Sequence, residues 1–380
     1  MPVDRAEAAP SLPDKLGRVS WLYVGLLIAI GIVGYGMLFS AGGGSHQPWA
    51  WRHAVRLGMG VAVMLAVALV DPRFWYRYAY LIYGASLAAL VAVEVTGSLA
   101  KGAQRWIDLG VVQVQPSELM KIAVVLALAR YFHGATLRDV GRIVFLVPPV
   151  LLVAVPAVLV LKQPDLGTAV MLLATGGLLL FLAGVRWWKF ALVAASVAAA
   201  LPVLWQQLHD YQRQRVLTFL DPENDPLGAG YHIIQSKIAL GAGGIWGRGF
   251  GEGTQAQLSF LPEKHTDFIF TMLAEEQGLV GALVVLVLYA AVFLLGCLFA
   301  LRARSQFGRL VVAGVTATFF LYVVINVAMV IGLIPVVGVP LPLISYGGTA
   351  MMTVLVGCGL ILGVDVHRDL AMKRYPGDDF

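Results

Sequence analysis

Ten apolar runs, each about 14 to 23 residues long, follow one another along the chain. They lie at about Val19–Phe39, Ala54–Val70, Tyr76–Val95, Leu119–Phe132, Ile143–Leu161, Thr168–Gly184, Phe190–Trp205, Leu279–Leu301, Leu310–Ile331 and Thr349–Val364. A helix crossing the hydrocarbon core of a bilayer needs about 20 such residues. Closed barrels are the other spanning solution, and their alternating strands of about ten residues are absent here. Composition agrees, with 59% of the 380 residues apolar and only 13% charged, against about 25% charged in soluble domains. The expected fold is an all-α polytopic membrane protein of about ten transmembrane helices. A disordered chain, a secreted disulfide scaffold and an ordinary soluble enzyme are excluded. The first run is too long, and wrongly flanked, for a cleaved signal peptide. Cys297 and Cys358 lie inside apolar runs and form no CxxC pair or zinc set. The basic residues flank apolar runs instead of clustering, so the surroundings are membrane lipids and not nucleic acid.

The basic residues also orient the bundle, because cytoplasmic loops carry the excess of Lys and Arg. With the N-terminus inside, the inner segments hold sixteen basic residues, among them Arg73, Arg77, Arg138, Arg142, Arg186, Arg304 and Arg368, while the short outer ones hold six. Both ends are therefore expected in the cytoplasm. The chain then divides into a cytoplasmic tail (1–18), seven spans (19–205), an extracytoplasmic segment (206–277), three spans (278–364) and a second cytoplasmic tail (365–380).

The distinctive polar residues fall on the outer side. Arg105-Trp106 follows Gly102, and Gln115-Pro116-Ser117-Glu118 precedes Lys121. Lys162-Gln163-Pro164-Asp165 follows, then about sixty residues from Gln206 to Thr266, and finally Pro340–Gly348. Loops this long are usually functional or disordered, and the aromatic residues and Leu-Asp-Pro turn favour a folded module. Gln115–Glu118 reads as a helix start, with proline near the first position and an acid in the first turn. Glu118 and Lys121 are spaced to pair on one helix face, and Lys162 with Asp165 could form a simple turn with an ion pair. The run from Thr266 to Leu301 would extend about 53 Å as one helix, too long for a core of about 30 Å. Glu275, Glu276, Gln277 and Gly278 interrupt it. A half-inserted helix, His265–Glu276, is expected before the true span, with Thr266 as N-cap and Asp267 as first helical residue. Such a break needs surrounding protein or a water-filled cavity, so a polar outer cavity is expected. Asp267 can serve the helix end alone, or act chemically as intramembrane carboxylates commonly do.

A site on the outer side has no ATP or nucleotide sugar, so its substrate must carry its own activation. A lipid-linked pyrophosphate sugar does. Glycosyl transfer from it needs a base for the acceptor hydroxyl and cations for the departing pyrophosphate. One carboxylate suffices for single-displacement inversion, because pyrophosphate leaves without a strong general acid. Asp267 can be that base, and Arg105, Lys121, Lys162, Arg215 and Lys264 are the candidate cations. A divalent cation held by carboxylates could substitute for them, although no metal motif compels it.

The stretch Gln255–Phe270, together with Pro340–Gly348 and Gln115–Glu118, resembles the SEDS family of shape, elongation, division and sporulation proteins over nearly all the chain after the first twenty residues. Gly253-Thr254-Gln255 and the Asp221–Pro226 segment before Gly230–Ser236 resemble its elongation branch more than its division branch. One departure is Ala242, where relatives often have serine. The resemblance implies a peptidoglycan glycosyltransferase of the cytoplasmic membrane that polymerises lipid II, with Asp267 as the essential acid and an extracytoplasmic active site. It also matches family motif positions to Arg105, Glu118, Lys121, Lys162, Asp165, Arg215, Gln235, Ser236, Lys264 and Ser345, and implies a class B penicillin-binding protein, a transpeptidase, as partner. A lipid II flippase, or a scaffold that only recruits the transpeptidase, are the rival readings. No internal repeat of the transporter kind is evident.

Overall fold

The computed structural model describes residues 11–96, 98–100, 103–108, 113–207, 213, 217–218, 221, 229–254, 263–370 and 372. Helices α1 (Leu12–Arg18), α2 (Trp21–Ala41), α3 (Trp49–Leu69) and α4 (Pro72–Thr96) come first. Strands β1 (Ser98–Ala100), β2 (Ala103–Asp108) and β3 (Gln113–Val114) then form an antiparallel meander. Helices α5 (Pro116–Phe132), α6 (Leu137–Gly141), α7 (Ile143–Lys162), α8 (Leu166–Leu182), α9 (Trp187–Gln207) and α10 (Ala229–Gly243) follow. Helices α11 (Ile269–Arg302), α12 (Gln306–Val330) and α13 (Gly348–Val366) complete the bundle. The fold is helical and polytopic, as the apolar runs require. The small meander has no counterpart in the sequence reading, because strands of two to six residues carry too few positions to show a period.

Each apolar run becomes a helix, yet seven of the ten (α2, α3, α4, α7, α11, α12 and α13) are by themselves long and apolar enough to cross a membrane. Helices α5 and α8 have 17 residues each, which is about 25 Å. In α5 the shortfall has a structural reason. Met120 and Ala123 through Ala129 are buried, so protein covers most of this helix, and it can carry Glu118 and Lys121. Outer helices show the reverse pattern, with Val144, Leu151 and Val158 of α7 facing outward.

Association of helices in lipid depends on close packing at small residues. Between α3 and α13, a Cβ on Gly359 would stand 2.6 Å from the Met64 carbonyl oxygen, and one on Gly60 would meet the Leu355 side chain at 2.3 Å. The first and last described helices come together on one face of the bundle. There Arg18 pairs with Asp369 at 3.2 Å, and Lys15 Nζ donates to the Leu69 carbonyl at 3.1 Å.

The expected interruption of the long apolar run is present at Gly278, where φ is 67° and ψ is −166° inside α11. Backbone groups freed by such a break need partners, and the turn after α10 supplies them. Leu279 and Val280 donate to the carbonyls of Gly244 and Ile245 at 3.0 and 3.1 Å. Arg248 and Gly249 donate to those of Glu275 and Glu276, both at 3.0 Å. A Cβ at Gly278 would lie 2.3 Å from the Gly247 nitrogen and 2.5 Å from the Ile245 oxygen. Both obstacles are backbone and cannot swing aside. Gly278→Ala is therefore expected to cost about 2–4 kcal/mol, read as a lowered thermal midpoint of the full chain in detergent. A midpoint like that of the parent would refute this account of the break.

Candidate functional site

The turn Glu263–Phe268 precedes α11 on the face opposite the chain ends, and neighbouring segments grip it by its main chain. Three consecutive carbonyls are taken by three donors. The Tyr346 amide donates to His265 O at 2.8 Å, the Ser345 hydroxyl to Thr266 O at 2.6 Å, and the Asn326 amide to Asp267 O at 2.9 Å. Asn326 spends its second hydrogen on Val339 O at 2.7 Å. It thereby joins the turn to the segment where Gly338, at φ 71°, lies beside the Asp267 carboxylate. A Cβ on Gly338 would stand 3.5 Å from Oδ2. Trp49 stacks on His265 with centroids 4.5 Å apart, and the Arg56 guanidinium sits 4.9 Å above the Tyr346 ring. Leu343 holds φ 62° in the same loop, pinned on both sides. Tyr289 donates to Pro342 O at 2.6 Å, and the Leu341 amide donates to Ser345 Oγ at 2.8 Å.

This geometry corrects the expected helix start. The helix begins at Ile269 with Phe268 at the cap position and no side-chain cap. Thr266 Oγ1 instead donates to Glu263 Oε2 at 2.7 Å. Asp267 therefore sits half-buried in a turn ahead of the helix. The carbonyls that point outward to Asn326, Ser345 and Tyr346 are those a helix begun at Thr266 would have turned inward.

Glu118 and Lys121 pair as their spacing suggests, at 2.8 Å, with side chains 5% and 2% exposed. The helix start is as expected too, with extended Gln115 at the cap, Pro116 at the first position and Glu118 in the first turn. The unforeseen member is Tyr322 of α12. Its hydroxyl donates to Glu118 Oε2 at 2.5 Å and accepts a bond from Lys121 Nζ, which also lies 4.3 Å from the ring centroid. Tyr322 and Asn326 are four residues apart, hence on one face of α12. A single helix face therefore touches both the buried ion pair and the main chain of Asp267. No sequence pattern marks these two residues, apart from the rarity of a buried asparagine in an apolar run. Asn326→Ala is expected to leave two buried carbonyls unpaired, at about 1–3 kcal/mol each. Ser345→Ala is expected to lower the thermal midpoint by a similar amount, because it leaves the Thr266 carbonyl and the Leu341 amide without their partner.

The remaining candidates lie elsewhere. Arg105 on β2 donates from Nε to Gln163 O at 2.9 Å and from its terminal nitrogen to Pro164 O, clasping the α7–α8 turn. The ion pair considered for Lys162 and Asp165 is not formed among the described residues. Asp165 is the N-cap of α8, accepting from the Thr168 amide at 3.1 Å and hydroxyl at 3.0 Å. It also receives the Gln115 amide at 3.3 Å, while Lys162 is exposed in the last turn of α7. Ser236 is buried between Thr271 Oγ1 and Val330 O, each at 2.8 Å, tying α10 to α11 and α12. Gln235 is half-buried beside it. Lys264 shares the turn with Asp267, and burial pulls its ammonium below the ordinary lysine value, against the attraction of Glu276. Arg215 lies outside the described residues, and so does 255–262, part of the segment expected to enclose a polar cavity. Among the described residues no three His, Cys, Asp or Glu side chains gather as a metal cage.

A spanning helix broken at Gly278, a carboxylate in the turn that opens its first half and a buried Glu–Lys–Tyr cluster behind that turn define a polytopic membrane protein with a polar site at one end of the bundle. Residues 18–370 match the FTSW_RODA_SPOVE family of cell cycle proteins. The chain belongs to that family. It is 47% identical over 327 residues to the peptidoglycan glycosyltransferase MrdB of Escherichia coli K12, covering 85% of this chain and 87% of that one. It is 40% identical to the probable peptidoglycan glycosyltransferase FtsW of Thioalkalivibrio sulfidiphilus, over 84% and 80% of the two chains. Among solved structures it resembles a chain of a peptidoglycan synthase complex described as coordinating polymerization and crosslinking. The TM-score is 0.80 at 36% identity, over 92% of this chain and 98% of that one. It also resembles the rod shape determining protein RodA of Thermus thermophilus, with TM-score 0.71 at 30% identity, over 93% and 98%.

Proposed function

We propose that this chain is a peptidoglycan glycosyltransferase of the elongation type, polymerising lipid II at the outer face of the cytoplasmic membrane. The observation that carries the reading is the turn of Asp267, held by three main-chain hydrogen bonds in a chain 47% identical to MrdB. Asp267 takes the proton of the acceptor sugar's hydroxyl as that oxygen attacks the anomeric carbon of the donor. The bond to undecaprenyl pyrophosphate breaks with inversion. A base that acts in the transition state must be positioned before the reaction begins, and the grip on the main chain of the turn positions Asp267. Lys264, in the same turn, is placed to stabilise developing negative charge. Arg105, with Lys162 and the Asp165-capped turn, lines the approach from a second side, and Glu118, Lys121, Ser236 and Ser345 brace the scaffold.

Both chain ends lie in the cytoplasm on this reading, and residues 206–277 form the extracytoplasmic segment. Two observations support it: the excess of basic residues on inner segments and the contact of Arg18 with Asp369, the one just before the first span and the other just after the last. The partner is a class B penicillin-binding protein, in keeping with the likeness to a synthase complex that both polymerises and crosslinks. The test is incubation of the purified full chain with labelled lipid II, with and without such a partner. Glycan strands, longer or faster-formed with the partner, are the expected product. Translocation of lipid II across vesicles with no polymer formed would overturn the proposal.

A further inference from the structure

Helix α7 carries three prolines, Pro148, Pro149 and Pro156, inside a membrane span. A proline has no N–H for the carbonyl four residues before it, so the carbonyls of Val144, Phe145 and Leu152 lose their intrahelical donors. Val144 lies in the first turn of the span and is exposed. The other two carbonyls are met by tyrosine hydroxyls from neighbouring helices. Tyr131 of α5 donates to Phe145 O at 2.7 Å, and Tyr83 of α4 donates to Leu152 O at 3.1 Å. These two bonds fasten α7 to α5 and α4 across a gap that side chains do not fill. The gap is an apolar groove of about 490 Å³, whose walls include Tyr80, Tyr83, Leu87, Tyr131, Pro148 and Leu151.

The groove begins toward the side of the bundle where Arg18 meets Asp369. Helix α4 starts there, just after Leu69, whose carbonyl takes Lys15, and Tyr80 is the first groove residue along it. From Tyr80 to Leu87 the wall runs about 10 Å, which fits within one leaflet of a core about 30 Å thick. Arg130 stands at the Tyr80 end. Its guanidinium packs against Tyr76 and Tyr80, 5.2 and 4.5 Å from their ring centroids, and the next residue, Tyr131, is itself a groove wall. An arginine offers five N–H donors. Here Nη1 donates to Arg77 O at 2.7 Å, and no carboxylate pairs with Arg130 among the described residues. Arg130 is half-buried, and Arg77, at the same end of α4, is exposed. A half-buried guanidinium without a carboxylate calls for an anion from elsewhere.

We propose that this groove binds an anionic phospholipid of the leaflet on that side, with one acyl chain along the tyrosine and α7 walls and the phosphate against Arg130 and Arg77. The two halves of the site ask for two parts of one molecule. An unfilled apolar groove at membrane depth forfeits dispersion contacts, and a flexible hydrocarbon chain restores them. The volume lies in the range of about 300–1,000 Å³ usual for small-molecule sites. Guanidinium groups hold phosphate oxygens through paired N–H bonds. A headgroup with its own quaternary ammonium would set a further cation beside Arg130 and Arg77, so a headgroup of net negative charge is preferred. A partner's apolar helix would fill the groove but bring no phosphate to Arg130. The site does not involve Asp267 or the proposed polymerase reaction, so either proposal can fail alone.

The experiment is native mass spectrometry of the full chain in neutral detergent, titrated separately with phosphatidylglycerol and phosphatidylcholine. The parent protein is expected to retain one phosphatidylglycerol under conditions that strip phosphatidylcholine. Arg130→Gln is expected to weaken that retention at least fivefold, and Arg138→Gln, an exposed charge on another helix, to leave it unchanged. Leu151→Trp, which places a large ring in the groove from an exposed position of α7, is expected to weaken it as much as Arg130→Gln. Val158→Trp, exposed on the same helix outside the groove, is expected to have no effect. Thermal midpoints show which variants fold, and should Arg130→Gln fail, the two tryptophan variants still decide. Equal retention of the two lipids would overturn the proposal, as would undiminished retention in Leu151→Trp or in a folded Arg130→Gln. Equal weakening by Arg138→Gln would leave only a basic surface and overturn it too.

Discussion

Lys121→Met is expected to destabilise the bundle by about 3–5 kcal/mol, the usual consequence of removing one member of a buried ion pair. The size follows from what stays behind. Glu118 is as buried as its partner, and without the ammonium its charge would be met chiefly by the Tyr322 hydroxyl. It must then remain ionised in a poorly solvating interior, take up a proton, or drag α5 away from α12. The double variant Glu118→Gln/Lys121→Met removes both charges and is expected to recover most of the loss, since apolar or neutral replacements of whole buried pairs are often tolerated. Tyr322→Phe should fall between, at about 1–3 kcal/mol for the hydrogen bonds it forfeits. Thermal unfolding of the four proteins in one detergent gives the comparison. A Lys121→Met protein as stable as the parent would show that the pair contributes nothing to holding α5 and α12 together.

Asp267→Asn is expected to lower lipid II polymerisation by about 10²- to 10⁴-fold, the range a positioned general base contributes, while leaving the thermal midpoint where it was. The second half distinguishes this variant from the first prediction. The hydrogen bonds from Tyr346, Ser345 and Asn326 reach the main-chain oxygens of the turn and not the Asp267 carboxylate. An isosteric amide should therefore sit in an unchanged scaffold with its basicity removed. The measurement is initial rate with labelled lipid II, beside a melting curve of the same preparation. Retention of half the parent rate would end the assignment of Asp267 as base. A lost midpoint would mean that the carboxylate also holds the fold.

The two predictions separate what the residues near the site do. Glu118, Lys121 and Tyr322 form a buried polar cluster with its donors and acceptors matched to one another, and such clusters rigidify when complete and weaken a core when broken. Asp267 stands at the end of that support. The link between them is α12, which touches the cluster through Tyr322 and the Asp267 main chain through Asn326. A substitution that shifts α12 should therefore move the base without touching it.

Several of these features were legible in the amino-acid order alone because they are local. An apolar stretch of sufficient length demands a helix in lipid whatever surrounds it, which accounts for the ten helices that the apolar runs form and for the helical class. A polar interruption ending in glycine marks a break, and Gly278 is where the backbone leaves helical geometry. Proline followed by an acid opens a helix, and a three-residue spacing pairs Glu118 with Lys121 on one turn. What the order of residues could not decide was the partner of each polar group across the bundle. Asp165 turned out to be a cap and not half of an ion pair, since the amide and hydroxyl of Thr168 reach it. Helix α11 starts after Asp267 because the preceding carbonyls are claimed from α12 and the Pro340–Gly348 loop. Asn326 lies 59 positions from Asp267, and Tyr322 lies 204 from Glu118. Periodicity and spacing act over one or two helical turns, whereas a hydrogen bond between helices depends on which faces the packed bundle brings together.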